Sequence, residues 1–192
     1  MKNNKEIVPV IPSRDIIVGN VEAPVRITMF GDYESEACAR ANNVVKELLK
    51  TYEGGINFNF RHFPLTMVHQ KAHKAAEAAI GAAQEGKFWE MHQYLFDHNR
   101  HLGTISLKSY AREVGVKDKK FLEHLINSDW GWFVQDDLRE GIEKGITDIP
   151  TFFINGQRFE KDPSLKNFKI HIDALLKENA SKLVPIKQKK RA

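Results

Sequence analysis

The spacing of apolar side chains changes twice along the first third of the chain. Residues 25–30 form a β-rich apolar run, which predicts a buried strand. Between residues 37 and 52 the apolar positions recur at i, i+3 and i+4, which predicts one buried face of a helix. Residues 56–60 then alternate strictly between apolar and polar, which predicts a second strand. Together these elements predict a βαβ unit.

The predicted helix has signals at both of its ends. Ser35 stands where an N-cap belongs, because a serine hydroxyl can accept a hydrogen bond from an N–H group of the first turn. Glu36 follows it, near the positive end of the helix dipole. Gly54-Gly55 favours termination of the helix. We therefore expect a helix that begins directly after Ser35.

The middle of the chain, from residue 67 to residue 145, has a helical pattern throughout. Gly103 and Gly115 punctuate it, and Ser106 is a plausible N-cap for one of its helices. Five helical segments are predicted, over residues 72–83, 88–99, 106–115, 119–127 and 129–144.

Strands return after this helical stretch. Residues 151–154 and 157–159 are joined by Asn155-Gly156, a pair that favours a two-residue hairpin turn. A last amphipathic helix is predicted over residues 164–177.

The order of elements is therefore βαβ, a helical insert, then ββα. This order predicts an α/β protein with the thioredoxin fold and an all-helical domain inserted between its halves. We expect residues 1–14 to form an N-terminal extension and residues 15–178 to form the domain, with the insert at about residues 66–146. Residues 179–192 are expected to be a basic tail.

Four separated segments also match a known family, in the right order. They are Phe30-x-Asp32-Tyr33-x-Ser35-x-x-Cys38, Arg61-His62-Phe63-Pro64-Leu65, Gly86-Lys87-Phe88-Trp89-Glu90-Met91-His92 and Ile149-Pro150-Thr151-Phe152-Phe153-Ile154-Asn155-Gly156. This set resembles the DsbA-like thioredoxin-fold oxidoreductases over about residues 15–177. The resemblance implies a thiol-disulfide active site at the start of the first long helix.

The resemblance also implies that parts of this active site are altered. Ser35 stands at the position of the attacking cysteine, and Cys38 stands at the position of the resolving one. Met29 replaces a buried acid that this family uses to handle a proton. Ile149-Pro150 resembles the cis-proline element, which leaves the preceding backbone available to an extended substrate or to glutathione.

The chemistry of this site depends on its one thiol. A serine hydroxyl cannot form a mixed disulfide, so cycling between two cysteines is excluded. Cys38 shares the apolar helix face with Ala41 and Val45, which predicts a sulfur that is hard to reach. Asp32 is nearer to the site than Met29, and either a surface or capping role or a proton-transfer role fits it.

Three classes of function remain open. The protein acts through Cys38 with an external thiol, or binds peptides or small thiols without turnover. Alternatively, the protein is a glutathione-dependent transferase or isomerase in which Ser35 donates a hydrogen bond to the thiolate of glutathione, as the serine of the similar kappa-class glutathione transferases does. Glu36-Ala37 departs from that family's pattern, and Glu36 would repel a nearby thiolate. The third class is a non-catalytic binding module. Glutathione is thus the one cofactor that the sequence suggests.

Other polar and aromatic residues also suggest sites. His69 and His73 are spaced i, i+4 and could bind a metal ion from one helix face, but without a third ligand a solvated helix N-terminus is expected. Trp89, Trp130 and Trp132 are expected to pack the helical insert, unless Trp130 and Trp132 line a ligand groove. No metal site is predicted.

Length and composition fit a single folded domain. The chain has 192 residues, of which 42% are apolar, enough for a sizeable core. One cysteine cannot form an intramolecular disulfide, which is compatible with a reducing cytosol. No apolar run is long enough for a signal-peptide core or a membrane span. These features predict a cytoplasmic protein.

The basic tail concentrates the positive charge of the chain. The formal net charge is +4, and Lys187, Lys189, Lys190 and Arg191 supply four positive charges. Such a cluster can bind nucleic acid, an acidic lipid surface or a partner, or can remain solvated. Because no aromatic side chain lies among these residues, a stacking platform for single strands is missing. We expect a solvated tail and no nucleic-acid partner.

Overall fold

The computed structural model describes residues 11–183, and within them a five-stranded sheet forms the centre of the protein. The strands are β1 (Ile17–Gly19), β2 (Val25–Gly31), β3 (Ile56–His62), β4 (Thr151–Ile154) and β5 (Gln157–Arg158). Their order across the sheet is β1-β3-β2-β4-β5. β2 and β3 are parallel, whereas the other neighbouring pairs are antiparallel. β2 therefore lies at the middle of the sheet.

Seven α-helices accompany the sheet in this described part of the chain. They are α1 (Glu36–Thr51), α2 (Ala72–Ala83), α3 (Phe88–Asp97), α4 (Thr104–Glu113), α5 (Phe121–Asn127), α6 (Gly131–Glu143) and α7 (Leu165–Leu183), and a 3-10 turn spans Ser13–Asp15. α1 connects β2 to β3, and α2 to α6 all lie between β3 and β4. The predicted α/β class and the predicted order of elements are confirmed.

One face of the sheet is covered by α1, α3 and α7. Ile27 and Met29 from β2 lie in the same buried cluster as Val45 from α1 and Phe168 from α7. On the opposite face, Phe30 packs with Phe63 and Ile146 in a second cluster. Val25, Ile27 and Met29 of β2 are thus buried on one face, and Phe30 on the other, while Arg26 is exposed.

The opposite face also receives α6 at close range. A Cβ atom on Gly141 would lie 2.5 Å from the Phe63 ring and 3.3 Å from the Phe30 ring. Glycine at this position lets the α6 backbone approach the aromatic side chains of β2 and of the segment after β3. This contact brings the polar side chains of α6 over the sheet.

The alternation in β3 has a different meaning from the one expected. All seven residues of β3 are buried, so the polar positions do not face solvent. Asn59 donates from Nδ2 to the carbonyls of Ser13 (2.7 Å) and Ile16 (2.8 Å), and Asn57 donates to the carbonyl of Asn20 (3.0 Å). These amides attach the segment before β2 to the sheet.

Several predicted boundaries agree with the structure and some do not. Asn155 and Gly156 both have positive φ (49° and 81°), so the two-residue hairpin turn is confirmed. The N-cap assigned to Ser106 is wrong, because α4 begins at Thr104 and Gly103 is its cap. Trp130 is buried as predicted, whereas Trp132 is 70% exposed and does not pack the insert.

The chain termini bear on the expected domain limits. Ser13 is buried, and α7 continues to Leu183, beyond the predicted end at residue 177. The tail cations from Lys187 to Arg191 lie outside the described residues. The limits at residues 14, 66, 146 and 178 therefore stay predictions. No helix within residues 11–183 combines the length and apolar character needed to cross a bilayer.

Candidate functional site

The first turn of α1 is held by Ser35. Its hydroxyl oxygen accepts a hydrogen bond of 3.2 Å from the backbone N–H of Cys38, and its own φ and ψ (−82° and 119°) are extended. This is the geometry of an N-cap, so that prediction is confirmed. Ser35 keeps 7% of its surface exposed. The hydroxyl therefore lies at the edge between the protein interior and solvent.

The Cys38 thiol is completely buried. Its exposed fraction is 0%, and it belongs to the same apolar cluster as Ala41 and Val45, as the helical spacing predicted. Burial raises the pKa of the Cys38 thiol to about 11, although the Ser35 hydroxyl and the backbone of Asp32 act in the opposite direction. The effect of desolvation on the pKa thus outweighs the effect of these hydrogen bonds at the first turn of α1, and the thiol remains protonated at neutral pH.

Pro150 lies beside the start of α1. The Ile149–Pro150 peptide bond is cis. β2 and β4 are antiparallel, and Phe30 is opposite Thr151. Continuing this register by one residue, forward in β2 and backward in β4, brings Gly31 opposite Pro150. Gly31 is the last residue of β2 before the chain turns into α1. The sheet topology therefore brings Ile149, Pro150 and the Ser35 segment to the same edge of the protein.

The position expected from the resemblance to hold a buried acid is apolar. The Met29 side chain is fully buried, and its neighbours across the sheet are Phe60 and Phe152. No proton can be exchanged with a thioether at this position. Proton handling at this site would have to come from another residue.

Asp32 is the nearest acidic side chain, and a surface location for it is wrong. Its side chain is fully buried and accepts three hydrogen bonds. Oδ1 accepts from the N–H of Glu34 (2.7 Å), and Oδ2 accepts from the N–H of Leu65 (2.9 Å) and from Nδ1 of His69 (2.9 Å). Asp32 therefore fixes the turn before α1 to the loop between β3 and α2.

His69 and His73 do not form the helical pair that their spacing suggested. α2 begins only at Ala72, so His69 lies in the preceding loop. His69 binds Asp32, whereas Nδ1 of His73 lies 3.0 Å from the buried carboxylate of Glu77. Within residues 11–183 no three His, Cys, Asp or Glu side chains are grouped so as to hold a metal ion.

Sequence reasoning missed a buried ionic cluster on the opposite face of the sheet. Asp137 of α6 accepts hydrogen bonds from Nε of Arg61 (2.7 Å), from the N–H of His62 (2.9 Å) and from the Ser13 hydroxyl. Arg61 also donates to Glu140 (2.5 Å). The Arg61 and Asp137 side chains are almost completely buried. The cluster joins the 3-10 turn, β3 and α6.

A second buried polar chain runs between α1 and α3. Nδ2 of Asn42 donates to Gln93 (3.2 Å), so its Oδ1 accepts from Nε2 of His92 (3.0 Å). Nδ1 of His92 then accepts from the Tyr33 hydroxyl (3.0 Å). Burial lowers the pKa of His92 to about 3 and also lowers the pKa of His62 well below its usual value.

Because these two imidazoles are neutral when folded, the protein is expected to lose stability in acid. An unfolded histidine binds a proton below about pH 6.5, whereas folded His92 does so only near pH 3. The free energy of unfolding should fall by about 1.4 kcal/mol per pH unit per histidine in this window. Urea denaturation from pH 7 to pH 4 measures this slope. His92→Phe should reduce this slope by the equivalent of one proton; a slope equal to that of the wild-type protein would contradict the burial argument.

Comparison with known proteins establishes the family. The family model described as thioredoxin matches residues 13–174. The chain belongs to the thioredoxin family. Among solved structures, BdbD from Bacillus subtilis has a similar fold, with a TM-score of 0.77, 23% identity, and coverage of 84% of this chain and 92% of that chain. The α-DsbA1 protein of Wolbachia pipientis gives a TM-score of 0.73 at 22% identity, over 88% and 94% of the two chains.

These structural matches confirm the predicted DsbA-like thioredoxin fold. At identities of 22–23% they show the fold alone. The Ser35-x-x-Cys38 arrangement and the role of Pro150 stay predictions.

Curated relatives have higher identity but are much longer proteins. The chain is 39% identical over 152 residues to Na(+)/H(+) antiporter NhaA 3 of Salinispora tropica, covering 79% of this chain and 23% of that protein. Na(+)/H(+) antiporter NhaA 1 of Mycobacterium sp. is 35% identical, over 78% of this chain and 25% of its own length. The chain thus spans about a quarter of the length of these relatives.

Proposed function

We propose that this protein binds extended peptides or small thiols beside Pro150 and does not exchange disulfides through Cys38. The observation that carries the proposal is the state of Cys38, whose thiol is fully buried and whose pKa is raised to about 11. Disulfide exchange requires a thiolate that can reach its target. A cytoplasmic location is part of this proposal.

The raised pKa alone makes Cys38 a poor nucleophile. Moving the pKa of a thiol from 9.0 to about 11 lowers its thiolate fraction at neutral pH by about a hundredfold. Burial further restricts the approach of any disulfide. Ser35, which we take as the counterpart of the attacking thiol, has no sulfur to offer. Neither residue therefore supports redox turnover.

The segment around Pro150 supports ligand binding. Neither the N–H nor the C=O group of Ile149 has a hydrogen-bond partner within residues 11–183. Ile149 and Pro150 are both partly exposed at the edge where α1 begins. Unpaired backbone groups just before the start of a strand can pair with an extended chain in the manner of an added strand. A peptide or the backbone of glutathione fits this requirement.

The reactivity of Cys38 tests the proposal. In the folded protein we expect Ellman's reagent to react with Cys38 at least about a hundredfold more slowly than in urea, as the thiolate fraction requires. Full reaction in urea shows that the thiol is intact, and Cys38→Ala gives the background. Reaction of the folded protein at the rate of the unfolded chain would overturn the proposal.

A second candidate function follows from the antiporter relatives. In Salinispora tropica a segment 39% identical to this chain is part of a protein named as a sodium/proton antiporter. We propose as an alternative that this chain binds a membrane antiporter as a separate subunit. Copurification of the tagged full chain with an antiporter of this type from solubilised membranes would support this role. Elution of the tagged chain without the antiporter would exclude it.

A further inference from the structure

The Asp32–His69 pair lies at the edge of the proposed binding site and has no assigned role. Asp32 has no exposed side-chain surface, whereas the His69 side chain is 26% exposed. The imidazole therefore extends from a buried carboxylate towards solvent. Such pairs orient an imidazole and fix which of its nitrogens carries the proton.

The hydrogen bonds determine the tautomer of His69. Asp32 uses Oδ1 to accept from Glu34, and Oδ2 to accept from the N–H of Leu65 and from His69. A carboxylate offers only acceptors, so Nδ1 of His69 must carry the hydrogen. Nε2 of the neutral ring then holds the lone pair, and no group within residues 11–183 bonds to it. His69 thus presents a proton acceptor to its exposed side.

This acceptor is connected to the first turn of α1 through Asp32. The carbonyl of Asp32 accepts from the N–H of Ser35 (3.2 Å), and the charge of Asp32 acts on the Cys38 thiol. Because the Cys38 thiol stays protonated, it has no thiolate charge that the Ser35 hydroxyl would have to stabilise by donating a hydrogen bond. The hydroxyl is therefore available to a thiolate brought by a ligand.

The other carboxylates near this turn have partners of their own. Glu36 is paired with Arg100 (2.6 Å) and points away to the surface. Glu34 accepts from the backbone N–H of Lys71 (2.9 Å). These contacts weaken the repulsion that Glu36 would exert on a thiolate bound near Ser35.

The neighbouring imidazole of His73 is also engaged, whereas the exposed Lys71 side chain has no hydrogen-bond or ion-pair partner within residues 11–183. His73, one turn further along, lies between Glu77 (3.0 Å) and Gln135 (3.0 Å). The charged groups around the proposed acceptor are thus Asp32, which binds it directly, the solvent-exposed Lys71, and a set of carboxylates and imidazoles that are paired elsewhere. In the described part of the chain, only Asp32 contacts the His69 side chain by hydrogen bond or ion pair.

We propose that Nε2 of His69 accepts the proton of a small thiol bound at the first turn of α1. In this step the S–H bond of the ligand breaks, an N–H bond forms on Nε2, and Asp32 stabilises the resulting imidazolium. The thiolate remains on its ligand and accepts a hydrogen bond from Ser35. No sulfur–sulfur bond forms and no electron is transferred. The inference rests on the proposed function and gives the site a proton acceptor that Met29 cannot supply.

Ionisation of bound glutathione tests this role. Two probes are used, reduced glutathione and S-methylglutathione, and the second has no thiol proton. Ionisation of reduced glutathione is measured by the ultraviolet absorbance of its thiolate as the pH is varied. With the wild-type protein we expect the thiol to ionise about one pH unit lower than in free glutathione, equivalent to tenfold more thiolate at neutral pH. His69→Gln, whose amide can still donate to Asp32, should abolish this shift. Exposed His101→Gln serves as the matched control and should retain it.

The two glutathione probes separate the proton transfer from binding. S-methylglutathione should bind equally well to the wild-type protein and to His69→Gln by calorimetry, since neither complex transfers a proton. An unchanged thiolate shift in His69→Gln, or no shift in the wild-type protein, would overturn the inference. Neither result depends on the reactivity of Cys38 with Ellman's reagent, which tests the proposed function. Failure of this inference can therefore be distinguished from failure of the proposed function.

Discussion

Ser35→Cys is expected to create a protein that forms a disulfide with Cys38 and catalyses thiol-disulfide exchange. Residue 35 caps α1 and retains some exposure, whereas Cys38 lies one turn further into the helix and is buried. A thiol at a helix N-terminus ionises at about pH 3.5–7.5, compared with about 8.5 for a free cysteine. At neutral pH we therefore expect at least about tenfold more thiolate than in an ordinary thiol. Insulin reduction by dithiothreitol measures the gain.

The control for this change separates the thiol from the helix cap. Ser35→Ala removes the hydroxyl that accepts from the N–H of Cys38, at a cost of about 1 kcal/mol, and adds no sulfur. It should show no exchange activity. In mild oxidant, Ser35→Cys should lose both free thiols without forming a dimer. If both thiols remain titratable, residue 35 does not face Cys38 in the manner proposed.

Asp137→Ala is expected to destabilise the protein by about 3–5 kcal/mol, because it leaves a buried charge without its main partner. Of its ionic partners within residues 11–183, Arg61 would keep only Glu140. The N–H of His62 and the Ser13 hydroxyl would also lose their acceptor inside the protein. Urea denaturation at neutral pH, monitored by circular dichroism, gives the free energy of unfolding.

Asp136→Ala provides a matched control on the same helix. Asp136 pairs with Arg14 and Arg139, whose side chains are both more than half exposed. Ion pairs of this kind contribute about 0–1 kcal/mol. A loss for Asp137→Ala no larger than that for Asp136→Ala would show that the buried cluster does not hold the 3-10 turn and α6 to the sheet.

Local patterns predicted the elements that form the scaffold of the site. The periodicity of residues 37–52 and the serine before it were sufficient for α1, and Asn155-Gly156 was sufficient for the hairpin, because both depend on neighbouring residues. β1 was missed since it has three residues and pairs only along one edge of β3. So short a strand carries no readable alternation.

These local patterns could not predict contacts between residues that are far apart in the sequence. Arg61 and Asp137 are 76 positions apart, and Asp32 and His69 are 37 apart. Each of these charged side chains reads as a surface residue in its local sequence, since burial of a charge depends on a partner that the fold supplies. The polar positions of β3 were misjudged for the same reason. Chain spacing placed Ser35, Cys38 and Pro150, while the tertiary fold supplied Asp32 and His69.

The most direct test of the central claim is insulin reduction by dithiothreitol with the wild-type protein. If Cys38 takes no part in disulfide exchange, the rate should equal the uncatalysed rate at every protein concentration, and Cys38→Ala should give the same curve. Turnover that rises with wild-type protein and disappears in Cys38→Ala would contradict the account.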